Sequence, residues 1–121
     1  MVTPVFRIFD YAKAIEFYID WLDFKIDWED RPADGPVYLQ VSRGDVVLHL
    51  SGHHGDGSPG ATARAEVRGL AAYHTRLLHK NYPYMRPALV PAPWNARVLE
   101  MAVLDPFSNR LIFCDAVGVP V

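Results

Sequence analysis

The sequence predicts an α+β protein made of two consecutive β-α-β-β-β modules that form a concave mixed sheet. Three observations carry this. Apolar residues pass between a period near 3.6 and a period of two in the same order twice along the 121 residues. Leu70, on the apolar face of the second helical stretch, follows Tyr11 of the first by 59 positions, and the two closing hairpins are separated by a comparable interval. Between the halves lies SGHHGDGSPGAT, polar and glycine-rich, which reads as a linker. The expected layout is a single domain over 1–121, with module 1 at about 1–51, linker at about 52–60 and module 2 at about 61–116.

Each element has its own signal. VFRIF opens as a strand. In DYAKAIEFYIDWLDF, Tyr11, Ala14, Ile15, Tyr18 and Leu22 fall on one helical face and Asp10 is placed to cap the first turn. FKIDWE alternates as a strand does, and VYLQVSRGDVVLHLS reads as a hairpin turning at Ser42 to Asp45. In the second half TARAEV is a strand, and GLAAYHTRLLHKN is a helix with Leu70, Tyr73, Leu77 and Leu78 inward. RVLEMAVLDPFSNRLIFCDA is a hairpin turning through Asp105 to Asn109.

Composition narrows the function. Half of the residues are hydrophobic, 21% are charged and the formal net charge is -2, so no basic stripe is available to neutralise a phosphate backbone and nucleic acid is not an expected partner. A single cysteine, Cys114, excludes an intramolecular disulfide framework and fits a reducing compartment. No 18-residue apolar run and no basic, small-residue leader is present, so the expectation is a cytoplasmic protein without membrane partners.

Three histidines, His49, His53 and His54, crowd the end of the apolar run VVLHL. Alternation puts Val46, Leu48 and Leu50 on the core face and Val47, His49 and Ser51 on the other. His49 is then either an imidazole satisfied by a polar neighbour or a ligand contact. His53 and His54 read as solvated loop residues, His74 and His79 as surface or boundary positions of a helix, and Cys114 as buried and inert. Glu100 alternates with Val98 and Ala102, as a general base, a charge partner for a cation, or an exposed sheet-edge carboxylate. Trp28 stands in DWEDR, and Trp94 in PAPWN, too proline-rich to be regular strand throughout. With Tyr38 these rings either wall a groove that stacks on planar ligands or pack against their own subunit. Glu29, Asp30 and Asp34 nearby favour a cationic guest.

Three segments, PVFRIFDYAKAIEFYIDWLDFKIDWEDR, RGDVVLHLSGHHGDGSPGATARAEVRGL and PAPWNARVLEMAVLDPFSNRLIF, together with the paired modules, resemble the vicinal oxygen chelate superfamily, and within it the bleomycin-resistance branch. The chain departs from that pattern at Asp23 and Ser108, where glycine is usual. The superfamily's metal-ligand positions fall on Thr3, His49, Thr62 and Ile112, of which only His49 is a good ligand. The resemblance therefore implies no metal, no cofactor and no catalytic residue, but a homodimer that sequesters a bleomycin-like or other aromatic, cationic molecule in an intersubunit groove. Trp28 and Trp94 match its groove aromatics, and Pro4 matches the proline at which its N-terminal strand is exchanged with the partner. The expected ligand-binding set is Trp28, Tyr38, His49, Trp94 and Glu100. The rival reading is an enzyme of the same superfamily, a lyase or dioxygenase using His49 with Glu100 or a metal.

Overall fold

The computed structural model describes residues 1–116 as two compact units. The first comprises Met1–Ala61 with Leu104–Arg110, the second Thr62–Val103 with residues 111–116.

In the first unit, β1 (Val5–Arg7), α1 (Tyr11–Ala14), β2 (Lys25–Asp30), β3 (Tyr38–Arg43) and β4 (Val46–Ser51) follow in the expected order. The sheet runs β1-β4-β3-β2, with β1 parallel to β4 and the other neighbours antiparallel. Its two faces obey the alternation. Leu39, Val41, Leu48 and Leu50 are buried with Phe6 and Ile8, whereas Tyr38, Gln40 and His49 point to the opposite, open face and are half-buried. The β3–β4 turn is closed by Gly44 at a φ of 58°, a left-handed conformation that costs glycine nothing. Gly57 is constrained more tightly: at a φ of 66°, a Cβ there would lie 2.8 Å from the Val5 carbonyl oxygen, so the loop can pass β1 only with glycine.

Asp10 caps α1 as expected, accepting from the Lys13 amide at 3.0 Å. The expected regular helix is not kept, however, because Ile15–Trp21 widens into a π-helix. Ala14, Phe17, Tyr18, Trp21 and Leu22 are all buried, so the core face takes in Phe17 and Trp21 beside the residues that the periodicity singled out.

Turn 104–110 completes this unit around one buried carboxylate. Asp105 accepts from the Tyr18 hydroxyl (2.7 Å), the Phe107 and Asn109 amides (2.9 and 2.8 Å) and the Asn109 side chain (2.9 Å). Asn109 also donates to the Arg7 carbonyl at 2.7 Å. Burial drives the Tyr18 phenol well above its ordinary range, with the Asp105 charge adding to it, and burial likewise raises Asp105. Asp23 and Ser108, the two positions at which the resemblance leads one to expect glycine, have the backbone geometry that glycine favours: both are left-handed, with φ of 63° and 71°.

The second unit repeats the order as β5 (Thr62–Glu66), α2 (Leu70–His79), β6 (Val90–Ala92), β7 (Asn95–Leu104) and β8 (Arg110–Asp115), its sheet running β5-β8-β7-β6. β6 is a three-residue edge strand containing Pro91, and its register against β7 shifts at Pro91/Ala92, as a proline that cannot donate requires. Leu70, Tyr73 and Leu77 of α2 are buried as predicted, and Leu78 lies at the boundary. The helix has no cap of its own; buried Asp115 of β8 accepts from the Leu70 amide at 3.0 Å. No helix among the described residues is long and apolar enough to cross a membrane.

Candidate functional site

The open face of the first sheet gathers three of the expected site residues. His49 of β4 lies opposite Gln40 of β3, and Gln40 opposite Trp28 of β2, so the three form one row across the sheet. Trp28 lies parallel to the Tyr38 ring, with centroids 5.9 Å apart and 8° between planes, an offset stack. His49 stands edge-on to both rings, at 5.3 Å from Trp28 and 5.2 Å from Tyr38. Trp28 is 46% exposed on edge strand β2, all six of whose residues are exposed.

A β-bulge makes this possible. The register between β2 and β3 slips between Ile26 and Trp28, leaving Asp27 as the extra residue. In an even strand Asp27 and Trp28 would face opposite sides; here the Asp27 carboxylate reaches Gln40 Nε2 and the Ser42 hydroxyl, each at 3.0 Å, on the side where Trp28 stacks. Those hydrogen bonds, Gln40's first, hold the Asp27 carboxyl below its ordinary range, aided by Lys25 at 3.7 Å. His49 is satisfied on both nitrogens, Nδ1 lying 2.7 Å from the Tyr38 hydroxyl and Nε2 3.0 Å from Gln40 Oε1.

His53, expected in a solvated loop, is half-buried with its ring 6.2 Å from Tyr38. Its amide is fixed by Ser51 Oγ at 3.1 Å, and Ser51 in turn donates to Asp56 at 2.9 Å. The only sequence hint was the placing of Ser51 on the His49 face. Glu29 is not a groove carboxylate: it accepts from the Tyr11 hydroxyl at 2.6 Å and faces Arg31, which lies over the Tyr11 ring. Asp30, paired with Tyr38 in the register, and Asp27 supply the negative charge beside Trp28.

The other two site residues meet in the second unit through a residue the sequence reading passed over, Arg64. Its guanidinium lies 2.6 Å from Glu100, a charge contact rather than a well-aligned hydrogen bond, and 5.8 Å from the centre of the Trp94 ring. Glu100 holds Arg64 above its ordinary range. Trp94, in the β6–β7 turn, is 66% exposed, and the Glu100 side chain is largely covered. Arg64 was discoverable from TARAE, whose alternation puts it on one face with Thr62 and Glu66. Cys114 is buried, its thiol raised by that burial and donating to the Ala65 carbonyl at 3.4 Å. His74 contacts the Pro87 carbonyl at 2.8 Å.

A metal fits this donor set poorly. Of Thr3, His49, Thr62 and Ile112 only His49 is a strong ligand, and both of its nitrogens are already bonded within the sheet. Among the described residues no group of three or more His, Cys, Asp or Glu side chains is arranged to hold an ion. What the arrangement offers is an exposed aromatic stack with adjacent carboxylates and polar groups whose hydrogen bonds are made.

Comparison with known proteins agrees with this architecture. Residues 1–119 match the family described as glyoxalase superfamily protein. A bleomycin-binding protein solved with bleomycin has a TM-score of 0.70 at 21% identity, covering 95% of this chain and 97% of its own. The bleomycin-binding protein of bleomycin-producing Streptomyces verticillus, solved with copper(II)-bleomycin, has a TM-score of 0.66 at 28% identity, with 98% and 95% covered. A glyoxalase family protein from Bacillus anthracis has a TM-score of 0.68 at 15% identity, with 96% and 93% covered. No match was found among curated proteins.

Proposed function

The chain belongs to the glyoxalase superfamily, and from that premise we propose that it is a metal-independent binding protein that sequesters an aromatic, cationic small molecule of the bleomycin kind. The observation that carries this reading is the Trp28–Tyr38 stack, held parallel on an open sheet face with one indole nearly half exposed beside Asp27 and Asp30. A flat cationic guest extends such a stack and gains roughly 0.5–2 kcal/mol for each ring–cation contact. The similarity to proteins solved with bleomycin and with copper(II)-bleomycin supports the choice of ligand class. Trp94 with Arg64 and Glu100 is proposed as a second ligand-contacting cluster.

Two observations favour binding over catalysis by His49 and Glu100. His49 lends both nitrogens to the sheet's own network, and Glu100 is neutralised by Arg64, so neither is poised as a free base. Homodimerisation is part of the proposal: β2 is an edge strand with Ile26 and Trp28 exposed, a surface that a second copy would cover. Within the chain β1 pairs with its own β4, and exchange of that strand after Pro4 belongs to the same proposal. Calorimetric titration with metal-free and copper-loaded bleomycin tests the function; saturable binding of one ligand per groove is the expected result, and no heat with either form refutes it for this ligand class. Sedimentation of the untagged protein tests the dimer.

A further inference from the structure

The hydrogen bonds on the open face of the first sheet form a chain whose direction is forced from one end. Asp27 is a carboxylate and accepts only, so Gln40 must turn its amide NH₂ toward it and Ser42 must donate to its other oxygen. Gln40 then presents Oε1 to His49 Nε2, which must carry a proton. In a neutral imidazole the other nitrogen is bare, so Nδ1 accepts and the Tyr38 hydroxyl is the donor. Every proton along Tyr38–His49–Gln40–Asp27 therefore points toward the bulge. With its proton committed inward, Tyr38 Oη has only lone pairs left for anything that stacks on Trp28.

We propose that Asp27 sets the hydrogen-bond polarity of this face as a positioning residue, so that Tyr38 meets the ligand only as an acceptor and the face selects planar rings bearing an N–H donor, cationic ones above all. The inference deepens the proposed binding role and rests on it for the ligand, while the direction of the chain stands on the geometry of a neutral His49 ring. The other charged or titratable groups around the chain are Lys25 beside Asp27, Asp30 opposite Tyr38 in the register, His53 beside the Tyr38 ring, and Asp56, held by Ser51, whose charge acts on the Tyr38 hydroxyl. A carboxamide at position 27 permits the reverse order: its NH₂ donates to Gln40 Oε1, Gln40 donates to Nε2, Nδ1–H donates to Tyr38, and the Tyr38 proton turns outward.

The test has two readouts. Nitrogen-15 NMR of the imidazole gives the His49 tautomer without any ligand. The Nε2–H form is expected in the parent and the Nδ1–H form in Asp27→Asn; an Nδ1–H parent, or a tautomer indifferent to Asp27→Asn, overturns the directional chain. Chemical-shift titration with indole and 1-methylindole then gives the donor's contribution free of net charge. Indole is expected to bind the parent about two- to tenfold more tightly than its methylated partner, the range of one hydrogen bond. That preference should vanish in Tyr38→Phe, which keeps the ring and every charge, and in Asp27→Asn. Equal binding of the two indoles by the parent overturns the selection. If neither indole nor benzamidine shifts Trp28 resonances, the binding reading fails with it, and the tautomer result shows whether the chain survives.

Discussion

Replacing Trp28 by alanine separates a ligand platform from a core residue, because the structure fixes how much of each role the indole has. With 46% of its surface exposed, the ring buries a little over half of itself, on the order of 100 Å² of apolar area, against Tyr38, His49 and the sheet. At about 25 cal/mol per Å² this is about 2.5 kcal/mol, reduced toward 1.5–2 kcal/mol by burial already present in the denatured chain. Trp28→Ala should therefore lower the melting temperature by about 5–10 °C and leave a folded protein at 25 °C. Binding of bleomycin, titrated calorimetrically well below that melting point, should weaken by about 1–3 kcal/mol, or roughly tenfold or more in Kd. Trp28→Phe keeps an aromatic face over Tyr38 and should recover most of both losses. A folded Trp28→Ala variant that binds as tightly as the parent refutes the platform. A stability loss above about 4 kcal/mol refutes it differently, by showing that the indole is a core residue despite its exposure.

Four further outcomes follow from the packing. Tyr18→Phe removes one of four donors to buried Asp105 without changing volume, and should cost about 1.5–3 kcal/mol in urea unfolding; a change below about 0.5 kcal/mol would show that Asp105 does not organise the turn. The same phenol, raised in the folded state, keeps its proton where the unfolded chain has lost its own. The unfolded state then binds fewer protons, so Tyr18's contribution is complete below pH ~10 and is lost as pH rises beyond it. Phenolate absorbance should show one tyrosine ionising only with unfolding. Ser108→Gly relieves an exposed left-handed residue and should stabilise by about 0.5–1 kcal/mol, whereas β-branched Ser108→Ile should destabilise, both read from thermal melts. Untagged protein should retain less than about one tenth of an equivalent of transition metal after dialysis, since one strong ligand in four cannot close a first shell; a stoichiometric ion would refute the binding reading.

The sequence by itself determined what depends on neighbours along the chain. Alternation in VVLHLS sent Leu48 and Leu50 inward and His49 outward, helical spacing in LAAYHTRLLH buried Leu70, Tyr73 and Leu77, and the two substituted glycine positions marked the turns that adopt a left-handed φ. The grouping of Trp28, Tyr38 and His49 on one face was half legible, since Tyr38 and His49 follow from alternation. Trp28 and Asp27 could not be placed together this way, because a bulge is a slip of one strand against another and leaves no period of its own. The same holds for the rest. Helix α2 is capped by an aspartate 45 residues away, and Arg64 gains meaning only where the fold brings it to Glu100 and Trp94. Each of these is decided by contacts between segments distant in sequence, whose geometry exists only once the sheets have closed.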